Sequence, residues 1–274
     1  MSPWLEVCRE CVVDIRAVLD ELPTRIEREP TIRRGEGGDD TTAIDQAAED
    51  AVVRRLEATG ESFVLVSEEA GTKVFGTGGP TVVVVDPIDG SINAKRGIPF
   101  FSVSLAVADG PTMGDVRFGY VYDFGSGEEW TAERGTGAFL NRTALGAVRP
   151  KDELEILSFE ATTTPAIAER APALVGLAGR VRVMGSLALS LCHLAAGRVD
   201  GVCSLKEARS VDIAAAQLLV LEAGLAIELV DDPPFAAAPL DLEKRSRVVA
   251  AGTPELVAAI AAALGSSGPV SYHS

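Results

Sequence analysis

Apolar residues at Leu5, Cys8, Cys11, Val12, Ile15, Val18, Leu19 and Leu22 recur at the three-to-four spacing of a single helix face. They predict an amphipathic helix from Trp4 to near Pro23, with polar residues such as Glu6, Arg9 and Asp14 interrupting the pattern on the other faces. A second helix is expected from a cap at Thr41 or Thr42 through Asp45 and Glu49 to about Ala58. Between them, Gly35 to Asp40 is rich in glycine and acid and reads as a mobile loop. The pattern then changes period. Phe63 to Val66 is a short apolar run that ends at Ser67-Glu68-Glu69. Thr81 to Asp86 contains four consecutive valines, as expected of a strand buried on both faces and stopping at Asp86-Pro87. Ser102–Ala108, Phe118–Tyr122 and Glu129–Ala132 follow as strands separated by glycine-bearing turns.

Near Gly146 to Asp152 the pattern resets. Short strands at Glu155–Ser158, Val181–Met184 and Gly201–Val202 alternate with helices at Leu187–Ala196, Val211–Ala223 and Pro254–Leu264. Strand–helix alternation argues for an α/β layer. The chain therefore divides into an α+β half, residues 1–150, built on a mixed sheet, and an α/β half, residues 151–274.

Composition narrows the function. The 274 residues carry a formal charge of −15, which repels nucleic-acid backbones and anionic lipid, so neither is an expected partner. No apolar run reaches the roughly 18 residues of a membrane span, and the first helix is too charged for a secretory leader. A cytoplasmic protein is expected. Cys8 and Cys11 spell C-x-x-C, but on the buried face of a helix and without a second pair, so buried thiols are expected rather than zinc or redox chemistry. Asp123-Phe124-Gly125 reads as a hairpin turn, because no catalytic loop accompanies it. Asn141-Arg142-Thr143 is a glycosylation sequon without a secretory route. His193, in an apolar helix, is expected to pack in the core. With His273 the only other histidine, a serine triad has little to build on.

The chemistry gathers on carboxylates. Asp86 and Asp89 flank a proline turn at the end of the valine strand, where both can face one spot and the Ile88 carbonyl offers another hard oxygen. Glu68-Glu69 also ends a strand, and strand ends at one sheet edge are where α/β proteins collect catalytic groups. Asp212 opens a helix whose apolar body would fix it at the rim, and Asp45 lies beside the glycine-rich loop. Carboxylates without histidine or thiolate suit Mg²⁺, and two such ions would clamp a phosphate ester and activate water. Gly90 and Ser91 begin the next helix, whose N–H groups can cradle phosphate oxygens.

Val85-Asp86-Pro87-Ile88-Asp89-Gly90-Ser91-Ile92-Asn93 resembles the first signature of the inositol monophosphatase superfamily, and Val211-Asp212-Ile213-Ala214-Ala215-Ala216 through Glu222-Ala223-Gly224 resembles the second. Glu68-Glu69, Thr42-Ala43-Ile44-Asp45 and Gly135 to Asn141 fall in the family's order and spacing. The resemblance implies a layered αβαβα sugar-phosphatase fold, a homodimer, and lithium-sensitive hydrolysis of a small sugar or polyol phosphate with two or three Mg²⁺. It implies that Glu68, Asp86 and the Ile88 carbonyl hold one ion and that Asp86, Asp89 and Asp212 hold a second. A third would sit near Glu68, linked through water to Asp45 or Glu69. Ser91, backed by Asp45, would orient the attacking water, and Gly90, Ser91 and Ile92 would bind phosphate.

Serine at position 91 replaces the more frequent threonine and keeps its hydroxyl. Val211 replaces a common tryptophan, and Leu225 stands where a second glycine is usual. Lys206 and Arg209 lie where inositol-selective members carry a glutamate. The departures resemble the archaeal-type branch that acts on inositol monophosphate and fructose 1,6-bisphosphate, where the basic pair would read a second phosphate, unless its members are merely solvated. Phosphatases of 3′-phosphoadenosine phosphates or histidinol phosphate, and a catalytically silent regulatory relative, are the alternatives. The haloacid-dehalogenase arrangement is excluded, because two residues rather than one separate Asp86 from Asp89.

Overall fold

The computed structural model describes residues 2–36, 40–160, 163–231, 234–243 and 246–265. Gly37 to Asp39, the middle of the loop expected to be mobile, and His273 lie outside the described residues.

Five layers stack in the order helix, sheet, helix, sheet, helix. The outer helices Trp4–Glu21 and Ala43–Ala58 pack against each other and cover one face of an eight-stranded sheet. Helix 43–58 starts where expected, because Thr42 and Asp45 form a reciprocal cap in which Asp45 Oδ2 accepts from the Thr42 N–H at 3.0 Å and its hydroxyl at 2.5 Å. Cys8 and Cys11 point into this core as free thiols, and burial pushes both up, Cys11 to about 12. They behave as small core residues.

The valine strand, Val82–Asp89, lies near the middle of the first sheet, parallel to Phe63–Ser67 and antiparallel to Ser102–Ala108. The rest of the sheet is antiparallel, so it is mixed. Its second face carries the most fully buried helices, Leu187–Ala195 and Ser210–Glu222. A helix apolar all round must be covered on every side, and the second sheet covers these two from behind. Helix 210–222 lies directly on the strand Val116–Asp123, where a Cβ on Gly119 would sit 2.5 Å from the Ala215 carbonyl oxygen. The second sheet runs Ala178–Val183, Leu154–Glu160, Gly201–Ser204, Val248–Ala251, Ala226–Leu229. Its first three strands are parallel and the remaining pairings antiparallel. Helix Pro254–Leu264 closes the outer side.

The valine strand continues three residues beyond its expected end. Pro87 removes one ladder donor, but the strand absorbs it through a shift in register between Asp86 and Asp89 against Ser104 and Ser102. Strands Thr31–Arg34, Asp40–Thr42, Gly71–Phe75, Gly137–Leu140, Thr143–Ala144, Ala226–Leu229 and Val248–Ala251 are additions to the predicted set, and Asp40, read as loop, begins a strand that pairs with Thr31–Arg34. The hairpin at Asp123-Phe124-Gly125 is as expected, with Asp123 Oδ1 accepting from the Gly125 N–H at 2.7 Å.

Candidate metal and phosphate site

A pocket of about 640 Å³ opens where the two sheets and the helices between them meet. Asp45, Glu68, Glu69, Asp86, Asp89 and Asp212 all line it. So do Ile88, Gly90, Ser91 and Ile92, and Lys206 and Arg209. Every candidate residue read from the sequence thus shares one cavity.

Each carboxylate is placed by the end of an element. Glu68 and Glu69 follow the strand 63–67, Asp86 and Asp89 occupy the shifted end of the valine strand, and Asp212 sits in the first turn of its helix. There Asp212 Oδ2 accepts from the Arg209 N–H at 2.7 Å, completing the helix cap. Asp86 and Asp89 are buried, 3% and 8% exposed. Asp86 Oδ1 accepts from the Ile88 N–H at 3.0 Å. Asp89 Oδ2 accepts from the Ser186 hydroxyl and, at 2.9 Å, from the Ala188 N–H, both at the start of helix 187–195.

Crowding away from water raises the pKa values of Glu68, Asp86 and Asp89. Burial pushes Glu68 and Asp89 up to about 7, Asp212 adding to both. Burial also drives Asp86 well up, with Glu68, Asp89 and Asp212 adding repulsion. Three carboxyls raised in this way, with Asp212 beside them, are a sink for positive charge, and an all-oxygen donor set matches a hard divalent cation. The residues fit the Mg²⁺ that the motif implies.

One cation of the chain already reaches the cluster. Arg209, 8% exposed, donates from Nη2 to Glu68 Oε1 at 2.6 Å and to Asp212 Oδ1 at 3.1 Å. Burial works against its charge, but Asp212 and Glu68 outweigh it and hold the guanidinium charged. Arg209 is thus engaged with the carboxylates, while Lys206 stands exposed at the rim.

Around the cluster, Glu69 accepts from the Thr41 hydroxyl. Asp45 Oδ1 is buried without a partner among the described residues. Gly90 adopts φ +91°, a conformation glycine alone takes easily, and leads into the short helix Ser91–Arg96. Sequence reasoning passed over Lys95, which also lines the pocket, and Ser186, Asn93 and Glu160, which hold its walls. Ser186 was findable as a serine immediately before an apolar helical run.

A separate trio, Asp123, Glu128 and His193, brings three ligand-type atoms within 4.8 Å of one another. Glu128 is already taken by Arg198 in two bonds of 2.7 and 2.6 Å, and Asp123 caps its own turn. His193 packs between Phe100 and Trp130, and burial pulls its pKa down, as suits the packed residue expected.

The family model of inositol monophosphatases matches residues 6–268. The fructose-1,6-bisphosphatase/inositol-1-monophosphatase of Methanothermobacter thermautotrophicus is 36% identical over 263 residues, covering 92% of this chain and 93% of that protein. The Nus factor SuhB of Haemophilus influenzae is 33% identical, covering 82% of this chain and 84% of that protein. A solved structure of an inositol monophosphatase–fructose 1,6-bisphosphatase superposes with a TM-score of 0.82 at 26% identity, covering 96% of this chain and all (100%) of that one.

Proposed function

The chain belongs to the inositol monophosphatase family, and on that footing we propose that it is a Mg²⁺-dependent phosphoric monoester hydrolase acting on a small sugar or polyol phosphate. Myo-inositol 1-phosphate and fructose 1,6-bisphosphate are the leading substrates. The observation that carries the reading is the gathering of Glu68, Asp86, Asp89 and Asp212 around one pocket beside the Gly90–Ser91 turn.

In this reading Glu68, Asp86, Asp89, Asp212 and the Ile88 carbonyl hold two or three cations at the junction of the two halves. Bound Mg²⁺ would supply Lewis-acid stabilisation of the phosphoryl oxygens and acidify a water. The chain's own residues do the positioning. Gly90, Ser91 and Ile92 receive the phosphate. Thr42 ties down one Asp45 oxygen, leaving Oδ1 to accept a hydrogen bond from the Ser91 hydroxyl, which would orient the attacking water. Glu69, with Thr41 on its carboxylate, borders the same region. Lys206 faces the outer part of the substrate, where it can meet a second phosphate, and Arg209 balances charge among the ligands. Among the described residues no helix is long and apolar enough to cross a membrane, and a cytoplasmic homodimer is part of the proposal.

The test is phosphate release from both substrates, with and without Mg²⁺. Turnover should require the metal and fall by about 10²-fold or more in Asp89→Asn, which loses a charged ligand. Wild-type protein that binds Mg²⁺ yet releases no phosphate from any of a panel of sugar and nucleotide phosphates would favour the non-catalytic reading, to which the likeness to a Nus factor lends weight.

A further inference from the structure

Glu160 ends the strand Leu154–Glu160 in the second sheet and is 0% exposed. A buried carboxylate is costly unless hydrogen bonds satisfy it, and an apolar residue of similar size would be cheaper. Here the carboxylate is fully used. Oε1 accepts from the Ser190 hydroxyl at 2.6 Å, the Ser158 hydroxyl at 2.8 Å and, more weakly, the Met184 N–H at 3.3 Å. Oε2 accepts from the Gly185 N–H at 2.8 Å. Two of the four donors are therefore consecutive backbone groups of the turn that enters helix 187–195.

That turn is held from the opposite side as well. Asn93 Nδ2 donates to the Met184 carbonyl and to the Phe100 carbonyl, each at 2.8 Å. Gly185 takes φ +91°, and a Cβ there would lie 2.9 Å from Asn93 Nδ2, so the turn has no slack on that side. The next residue, Ser186, directs its hydroxyl to Asp89, and Ala188 adds its N–H to the same oxygen. The turn is thus a link with Glu160 at one end and Asp89 at the other. Met184 and Gly185 also form part of the pocket wall.

We propose that Glu160 is a positioning residue for the cation site, fixing the Met184-Gly185 backbone so that Ser186 and Ala188 hold the Asp89 carboxylate in its ligating orientation. The inference rests on the reading of Asp89 as a metal ligand. Outer groups that orient a ligand in this way typically govern about 10–100-fold of metal affinity.

The test is calorimetric titration of Mg²⁺ into metal-free protein, beside kcat and KM. Glu160→Met keeps the length of the side chain and removes every acceptor. Its Mg²⁺ affinity is expected to fall at least about ten-fold, with kcat falling in step. Glu160→Gln keeps an acceptor for Gly185 and should stay within about three-fold of wild type. Ser158→Ala removes a donor that does not touch the turn, so it should lower the melting temperature and leave Mg²⁺ affinity within about two-fold. A folded Glu160→Met protein with wild-type Mg²⁺ affinity overturns the proposal, as does a Gln variant as impaired as the Met one. Should Glu160→Met not fold, a double-mutant cycle of Glu160→Asp, which draws the carboxylate back from the Gly185 N–H, with Ser186→Ala decides instead. Non-additive effects on Mg²⁺ affinity support the link, and additive ones overturn it. Wild-type protein that binds Mg²⁺ without hydrolysing phosphate esters would remove the phosphatase reading and leave this test intact. Wild-type protein that binds no divalent cation would overturn both.

Discussion

At the level of single residues, the site is an arrangement of charge that the fold must hold against itself. Glu68 and Asp89 stand at about 7, burial first and Asp212 second among the causes that raise them. A carboxyl raised in the folded state binds protons that the unfolded chain has already lost above its ordinary value, 4.5 for Glu68 and 3.8 for Asp89. Stability therefore falls as pH rises from about 5 to 7 and levels off above that. Metal-free protein should melt at a lower temperature at pH 8 than at pH 5.5, and Mg²⁺ should narrow the gap; scanning calorimetry with chelator and with metal checks both. Arg209 offsets part of the repulsion through Glu68 and Asp212. Arg209→Gln should cost about 3 kcal/mol in chelator at pH 8, as breaking a buried ion pair does, and much less with Mg²⁺ present, measured by urea denaturation.

At the level of elements, helix 210–222 carries Asp212 and is seated on the first sheet through the bare backbone of Gly119. Gly119→Val would insert a branched side chain where the Ala215 carbonyl oxygen lies 2.5 Å from a Cβ position. Overpacking of this kind typically costs about 1–3 kcal/mol. Because the displaced helix carries a candidate ligand, Mg²⁺ affinity should fall along with stability, whereas a remote core substitution of equal cost should leave it unchanged.

Elements of strong period were legible in the sequence: the amphipathic first helix, the capped helix at Thr42, the valine strand and the helices at 187, 210 and 254. The strands Gly71–Phe75 and Val248–Ala251 were not. The first alternates weakly and is mostly exposed, and the second is only four residues long, two of them alanine. The gathering of the acidic residues around one pocket was legible because each ends an element. The engagement of Arg209 with Glu68 was not, since 141 positions separate them and only the packed layers bring them together. Nor was the buried Glu160, which looks in sequence like any polar residue closing a strand.

At the level of the whole molecule, the helices between the sheets belong to both. Their apolar faces join the first sheet and the second into one core, so neither sheet is a finished surface without the other. Residues 145–149, which link the sheets, are largely exposed, and the first sheet's last strand ends at Ala144. The anchoring of Asp89 by Ser186 and Ala188 crosses this same divide. A candidate site that closes only when two pieces meet is the design principle of a split reporter. Cleaving the chain between Gly146 and Val148 should yield two fragments that are silent apart, and whose phosphate release, read against fragment concentration, traces their reassociation as a binding curve.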